Sequence, residues 1–181
     1  MNVTTRTNNA MRKITLCALL LSVSFCISIF EGFVPISAVI PVPGLKFGFA
    51  NIAVVATLYL CGTLPAFCIV ILRPLLSFII FGNVTGSLLS LGGGIFSFII
   101  LIVLKRSYGK LFSFRGISCV CAVFHAAGQI CAASVIMSDI FIFSYLPVLS
   151  AASCITGFLN GMVMNMVIPP LSRIYGEKYE K

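Results

Sequence analysis

Long apolar runs, broken by glycine and proline turns and flanked by lysine and arginine, leave this chain few ways to fold. They fall at about residues 14–33, 47–60, 65–81, 87–104, 117–137 and 145–168. Residues are 60% hydrophobic and only 9% charged, against roughly 25% charged in a soluble domain. No water-soluble core could bury so much apolar side chain. A closed barrel would show short alternating segments, whereas these runs are continuous and suit membrane-crossing helices. The predicted fold is an all-α integral membrane bundle of six transmembrane helices, one domain over residues 1–181.

Charge placement orients the bundle. Arg6, Arg12 and Lys13 lie in the polar segment 1–13. Lys105, Arg106, Lys110 and Arg115 follow the fourth run, and Arg173, Lys178 and Lys181 lie at the end of the chain. Basic residues collect on the cytoplasmic side, so six crossings put segment 1–13, the basic loop and the tail 171–181 inside. The net charge of +8 is thus an orientation signal. It forms no basic patch interleaved with stacking aromatics, so no nucleic-acid partner is expected. The first run is longer than a signal peptide's apolar region and lacks an A-x-A-like site after it, so it reads as an uncleaved helix.

The eight cysteines all lie in or at the ends of apolar runs. They read as small reduced packing residues, not as a metal or disulfide framework. Stripes of small residues at four-residue spacing let helices approach closely in lipid. Ser153, Gly157 and Gly161 form one, expected to pack within the chain. Ala18, Ser22 and Cys26 form another, available to a partner subunit.

A few polar residues could carry chemistry inside the membrane. Lys46 is the only charge between Glu31 and Arg73, in the turn Pro43-Gly44-Leu45-Lys46-Phe47-Gly48-Phe49-Ala50-Asn51. It either forms one wall of a binding site or snorkels from a helix end. Arg73 lies near the middle of the third run, where a charge costs at least about 2.5–3.5 kcal/mol. Pro74 follows it and cannot donate to the Val70 carbonyl, which predicts a kink there. Arg73 is either an anion clamp or a structural residue held by carbonyls or Glu31. His125 and Gln129 share one helix face and either bind a ligand's polar groups or bond a neighbouring helix. Asn51 can join them. Asn160 and Asn165 read as helix–helix hydrogen bonds. The apolar connection 34–42, with its prolines, is expected on the membrane face or over a cavity.

There is no G-x-x-x-x-G-K-[ST], no aspartate-rich pair for a metal-bound diphosphate, and no metal cluster. No catalytic residues, metal or cofactor are expected, and any energy for transport must come from another subunit or an ion.

Residues 43–51, followed by Leu58-Tyr59-Leu60, resemble the signature of the so-called Gx transporter family, also labelled heptaprenyl diphosphate synthase component I. Further matches are Leu72-Arg73, Phe81-Gly82, Ser90-Leu91-Gly92-Gly93, Phe124-His125 with Gly128-Gln129, and Tyr145-Leu146-Pro147 with Thr156-Gly157. The resemblance covers about residues 13–163. The resemblance implies Asn after the histidine, where this chain has Ala126.

The family is similar to the S components of energy-coupling-factor transporters. That resemblance implies six helices holding a vitamin-like ligand near the outer face, with a loop between the first two helices over the site. It also implies docking to a transmembrane coupling protein and ATPases through an Ala-x-x-x-Ala stripe on the first helix, of which Ala18-x-x-x-Ser22 is a degenerate version. The resulting expectation is a multi-pass subunit of a bacterial cytoplasmic membrane that binds a small anionic metabolite. Lys46, Phe47, Asn51, Arg73, His125 and Gln129 would line the site, with Phe49 and the 34–42 loop as apolar wall and lid. The alternative is an accessory subunit of a prenyl diphosphate synthase.

Overall fold

The computed structural model describes residues 3–33, 46, 48–105 and 113–175, with side chains between residues 11 and 173. Phe47, the apolar connection 34–45, the basic loop 106–112 and the end of the charged tail lie outside the described residues. Six α-helices run α1 (Val3–Gly32), α2 (Asn51–Leu60), α3 (Thr63–Phe81), α4 (Val84–Lys105), α5 (Phe114–Met137) and α6 (Leu146–Tyr175). A 3-10 segment, Ile140–Tyr145, precedes α6. No strand occurs among the described residues. The molecule is an all-α membrane bundle.

Burial is inverted relative to a soluble protein. Outward faces carry Phe30, Ile79, Val135 and Met166, all strongly exposed, while Ser24, Glu31, Thr57, Arg73, His125, Gln129 and Asn160 point inward and are buried. Lipid solvates the apolar faces, and the polar groups find partners only inside the bundle.

Among the described residues, five helical segments are long and apolar enough to cross a bilayer, and α2 is not. The sequence reading gives the second run about fourteen residues from position 47. The helix has ten, about 15 Å at 1.5 Å per residue, half of a hydrocarbon core of about 30 Å. Eight of those ten residues are buried. The helix packs on α1, α3, α4 and α6, so it is an interior element and not a lipid-facing span.

Glycine ends α3 at both sides. Gly62 (φ 103°) precedes it, and Gly82 (φ 65°) closes it in the left-handed region with its N–H donated to the Phe78 carbonyl, a turn that favours glycine. At the other extreme, α6 does not stop at Pro169-Pro170 as the sequence suggests but runs on to Tyr175. The prolines withdraw donors from the Asn165 and Met166 carbonyls, yet proline's fixed φ is itself helical. Ser172 Oγ donates to the Pro169 carbonyl at 2.8 Å within the same stretch.

Close approach of α4, α5 and α6 depends on glycine. A Cβ at Gly92 or Gly128 would press on the other helix's backbone, 2.9 Å from Gly128 O and 2.6 Å from Gly92 O respectively. Gly157 and Gly161 seat α6 on α5 against the backbone of Cys119 and Arg115, so that stripe packs within the chain as expected. The stripe on α1 does the reverse: Ala18, Ser22 and Cys26 are exposed. Asn165 is also exposed, so it does not form a buried helix–helix bond within this chain. Of the eight cysteines only Cys121 is buried. Cys26, Cys68 and Cys154 lie on the outer surface and do not fill the core.

Candidate functional site

The site begins with the two ends of α2. Because α2 is short, the chain before it is non-helical yet buried, and its backbone groups need partners from elsewhere. Glu31 of α1 accepts the Phe49 N–H at 2.5 Å. Ser24 Oγ donates to Ala50 O at 3.0 Å, and Asn160 Nδ2 of α6 donates to Gly48 O at 3.4 Å. Gly48 adopts φ +86°, and a Cβ there would lie 3.1 Å from the His125 ring. Glycine is therefore required both by the turn and by the imidazole. At the far end, Lys105 Nζ donates to the Leu58 carbonyl at 3.2 Å and lies 5.6 Å from the centre of the Tyr59 ring. An anion at the N-terminus and a cation at the C-terminus both complement the helix dipole.

Around the N-terminal end of α2 the bundle gathers a polar layer. The apolar core itself divides into two clusters, one containing Leu16, Leu58, Phe114 and Ile168, the other Leu89, Ile130 and Leu149. Arg73, from the middle of α3, is almost fully buried and reaches Asn51 Oδ1 at 3.5 Å. Lys46 donates to Ser28 Oγ at 2.9 Å. Glu31, Lys46 and Arg73 lie within electrostatic reach of one another. His125 and Gln129 face α4, where a Cβ at Gly93 would lie 2.8 Å from each of them. Burial pushes the Lys46 ammonium below its ordinary range, Glu31 pulls it back up, and Arg73 adds to the lowering.

The layer is not saturated. Among the described residues, Asn51 Nδ2, Arg73 Nε, His125 Nδ1, both polar atoms of the Gln129 amide, and Asn160 Oδ1 are buried without hydrogen-bond partners. Buried polar atoms in folded proteins are nearly always partnered, and each orphan costs about 1–3 kcal/mol. Here donors and acceptors from four helices converge unpaired. An apolar cleft of about 200 Å³ also opens between α3 and α4, lined by Ile71, Pro74, Leu75, Phe78 and Leu91 among others. It lies on the outer side of Pro74, where Leu75 and Phe78 are exposed, and takes no part in the polar layer.

Lys46, Asn51, Arg73, His125 and Gln129 are thus assembled in one place, while Phe47 and the 34–42 loop lie outside the described residues. Glu31, Ser28, Gly93 and Asn160 complete the layer without having been assigned to it from sequence. The signal for Glu31 was its position as the sole carboxylate in the six apolar runs. Asn160 gave no comparable signal.

The family model for heptaprenyl diphosphate synthase component I matches residues 20–167. The chain belongs to this family. The match takes in α2 to α5 whole, together with every residue of the polar layer. No curated protein and no solved structure matches the chain.

Proposed function

We propose that this family member is a membrane-embedded binding subunit of a transport system, and that its polar layer holds a small anionic metabolite. Arg73 carries the reading. Its guanidinium offers five donors in a planar fork, yet the described structure gives it one hydrogen bond, at the 3.5 Å limit, and an unpartnered Nε. A buried cation in lipid is costly unless an anion or a set of acceptors meets it. A bound carboxylate or similar group would supply both, while Asn51, His125, Gln129 and Asn160 would pair with the ligand's uncharged polar atoms. The exposed Ala18, Ser22 and Cys26 stripe on α1 is the surface suited to a transmembrane coupling protein with its ATPases.

The family's name favours a second reading: an accessory subunit that works beside a prenyl diphosphate synthase component. The same cations would then face a lipid diphosphate. Gentle purification from the native membrane, with mass spectrometry of co-purifying molecules and subunits, separates the two. An anionic metabolite with a coupling protein and ATPases supports the transport reading. A prenyl diphosphate with a soluble synthase overturns it.

A further inference from the structure

We propose that Glu31 sets the charge of the ligand, so that the polar layer takes a monoanion and rejects dianions such as phosphate monoesters and diphosphates. This rests on the binding reading above and narrows it to a chemical class.

Two cations face the layer, Lys46 and Arg73, and one carboxylate, Glu31, lies within reach of both. The only other acid within residues 20–167 is Asp139. It is exposed and caps the 3-10 segment, accepting the Phe141 N–H at 2.8 Å. The formal charges of Lys46, Arg73 and Glu31 sum to +1.

Glu31 is not a loose counter-ion that an incoming anion could displace. Its Oε1 accepts the Phe49 N–H, and it sits at the N-terminal end of α2, where a negative charge is favoured. Moving it would take the partner from a partly buried backbone donor. As a carboxylate held in place it offsets one cation and leaves a single formal positive charge for the ligand. A monoanion brings the layer to neutrality. A dianion leaves an excess negative charge beside Glu31 in a low-dielectric interior, where like-charge contacts discriminate strongly between partners. The remaining unpartnered atoms, donors on Asn51 and Gln129 and acceptors on Gln129 and Asn160, fit an uncharged body bearing both donors and acceptors. A second ionised group has no counter-charge there.

The test uses the purified full-length chain in non-ionic detergent. Formate serves as the monoanionic probe and sulfate as the dianionic one, at matched ionic strength, with thermal unfolding as the readout. Arg73→Gln supplies the baseline that removes general salt effects. Formate should stabilise the wild type above this baseline, and sulfate should not. In Glu31→Gln the sulfate affinity relative to formate should rise at least about tenfold. Equal or greater stabilisation of the wild type by sulfate overturns the charge rule while leaving the binding site in place. No stabilisation by either anion, in wild type and Glu31→Gln alike, overturns the binding reading itself and this inference with it. If Glu31→Gln does not fold, the wild-type comparison alone decides between these outcomes.

Discussion

Gly93 and Gly94 are neighbours on α4, and replacing each with alanine should have opposite effects. In a helix interior alanine is favoured over glycine by up to about 1 kcal/mol, so without other contacts both variants would gain stability. At Gly93 the added Cβ would lie 2.8 Å from His125 Cε1, from Gln129 Cγ and from the His125 carbonyl oxygen. Ordinary contact begins at 3.4 Å, so about 0.6 Å must open in three directions. Both side chains are boxed in by burial and the third neighbour is backbone, so α4 and α5 must separate. Such overpacking costs about 1–3 kcal/mol. At Gly94 the Cβ meets only a Val70 methyl at 3.1 Å, with Val70 O at 4.0 Å, and a few tenths of an ångström of adjustment suffices. Gly94→Ala should therefore be neutral or slightly stabilising, and Gly93→Ala less stable than Gly94→Ala by about 1–3 kcal/mol. That corresponds to a melting difference on the order of 3–10 °C for a chain of this size. Thermal unfolding of both variants in the same detergent reads this directly, and formate stabilisation reads the displacement of His125 and Gln129. Equal melting temperatures for the two variants would refute the packing assigned to Gly93.

Three further outcomes follow from the same geometry. Arg73→Lys keeps the charge but loses the planar fork, so formate stabilisation should fall at least about tenfold; an unchanged titration would show that Arg73 acts only as a point charge. Lys46 has a lowered pKa in the folded chain, below its ordinary 10.5, so the folded chain sheds this proton before the unfolded chain does. Its contribution to stability therefore rises with pH between the lowered value and 10.5, while anion binding, which needs the ammonium, falls across that window. Lys46→Arg, charged throughout, should abolish the fall, and anion titrations at stepped pH check it. Leucine at both Ala18 and Ser22, which face outward, should change stability by no more than about 0.5 kcal/mol and should abolish co-purification of a coupling subunit. Retained co-purification would remove α1 as the docking face.

The lipid-facing architecture was legible because lipid imposes it. Continuous apolar runs, Gly62 and Gly82 at the turns, and small residues at Gly157 and Gly161 each state a constraint that the bundle obeys. The start of α2 was not legible, because tertiary contacts set it. Sequence pattern continues the second run back to Phe47, yet helix begins only at Asn51. The intervening backbone is held by Glu31, Ser24 and Asn160 from two distant helices. Gly48, at φ +86°, was the local sign of that break. Asn160 was hidden for a related reason: its partner lies 112 residues away in sequence, and one asparagine on an apolar helix looks the same whether it bonds a helix or a buried loop. The run-on of α6 past Pro169 was missed because a double proline signals a stop in water.

The two ends of α2 explain why Arg73 stands apart from the other interior charges. Glu31 serves the N-terminal end of that helix through the Phe49 N–H, and Lys105 serves its C-terminal end through the Leu58 carbonyl. Each of these charges has a structural task that its position accounts for, and burying a half-length helix inside the membrane requires them. Lys46 has Ser28 as a partner and is only half-buried. Arg73 is the deepest cation and the one whose position no backbone end accounts for. It sits on α3, mid-helix, beside a proline, with one long hydrogen bond to Asn51 among the described residues. A purely structural arginine at that depth would be expected to saturate its fork on free carbonyls. Instead its Nε is unpartnered among the described residues, as are atoms of Asn51, His125, Gln129 and Asn160 in the same polar layer. The charges needed to fold α2 are accounted for without Arg73, and the remaining positive charge is what an anionic ligand would complete.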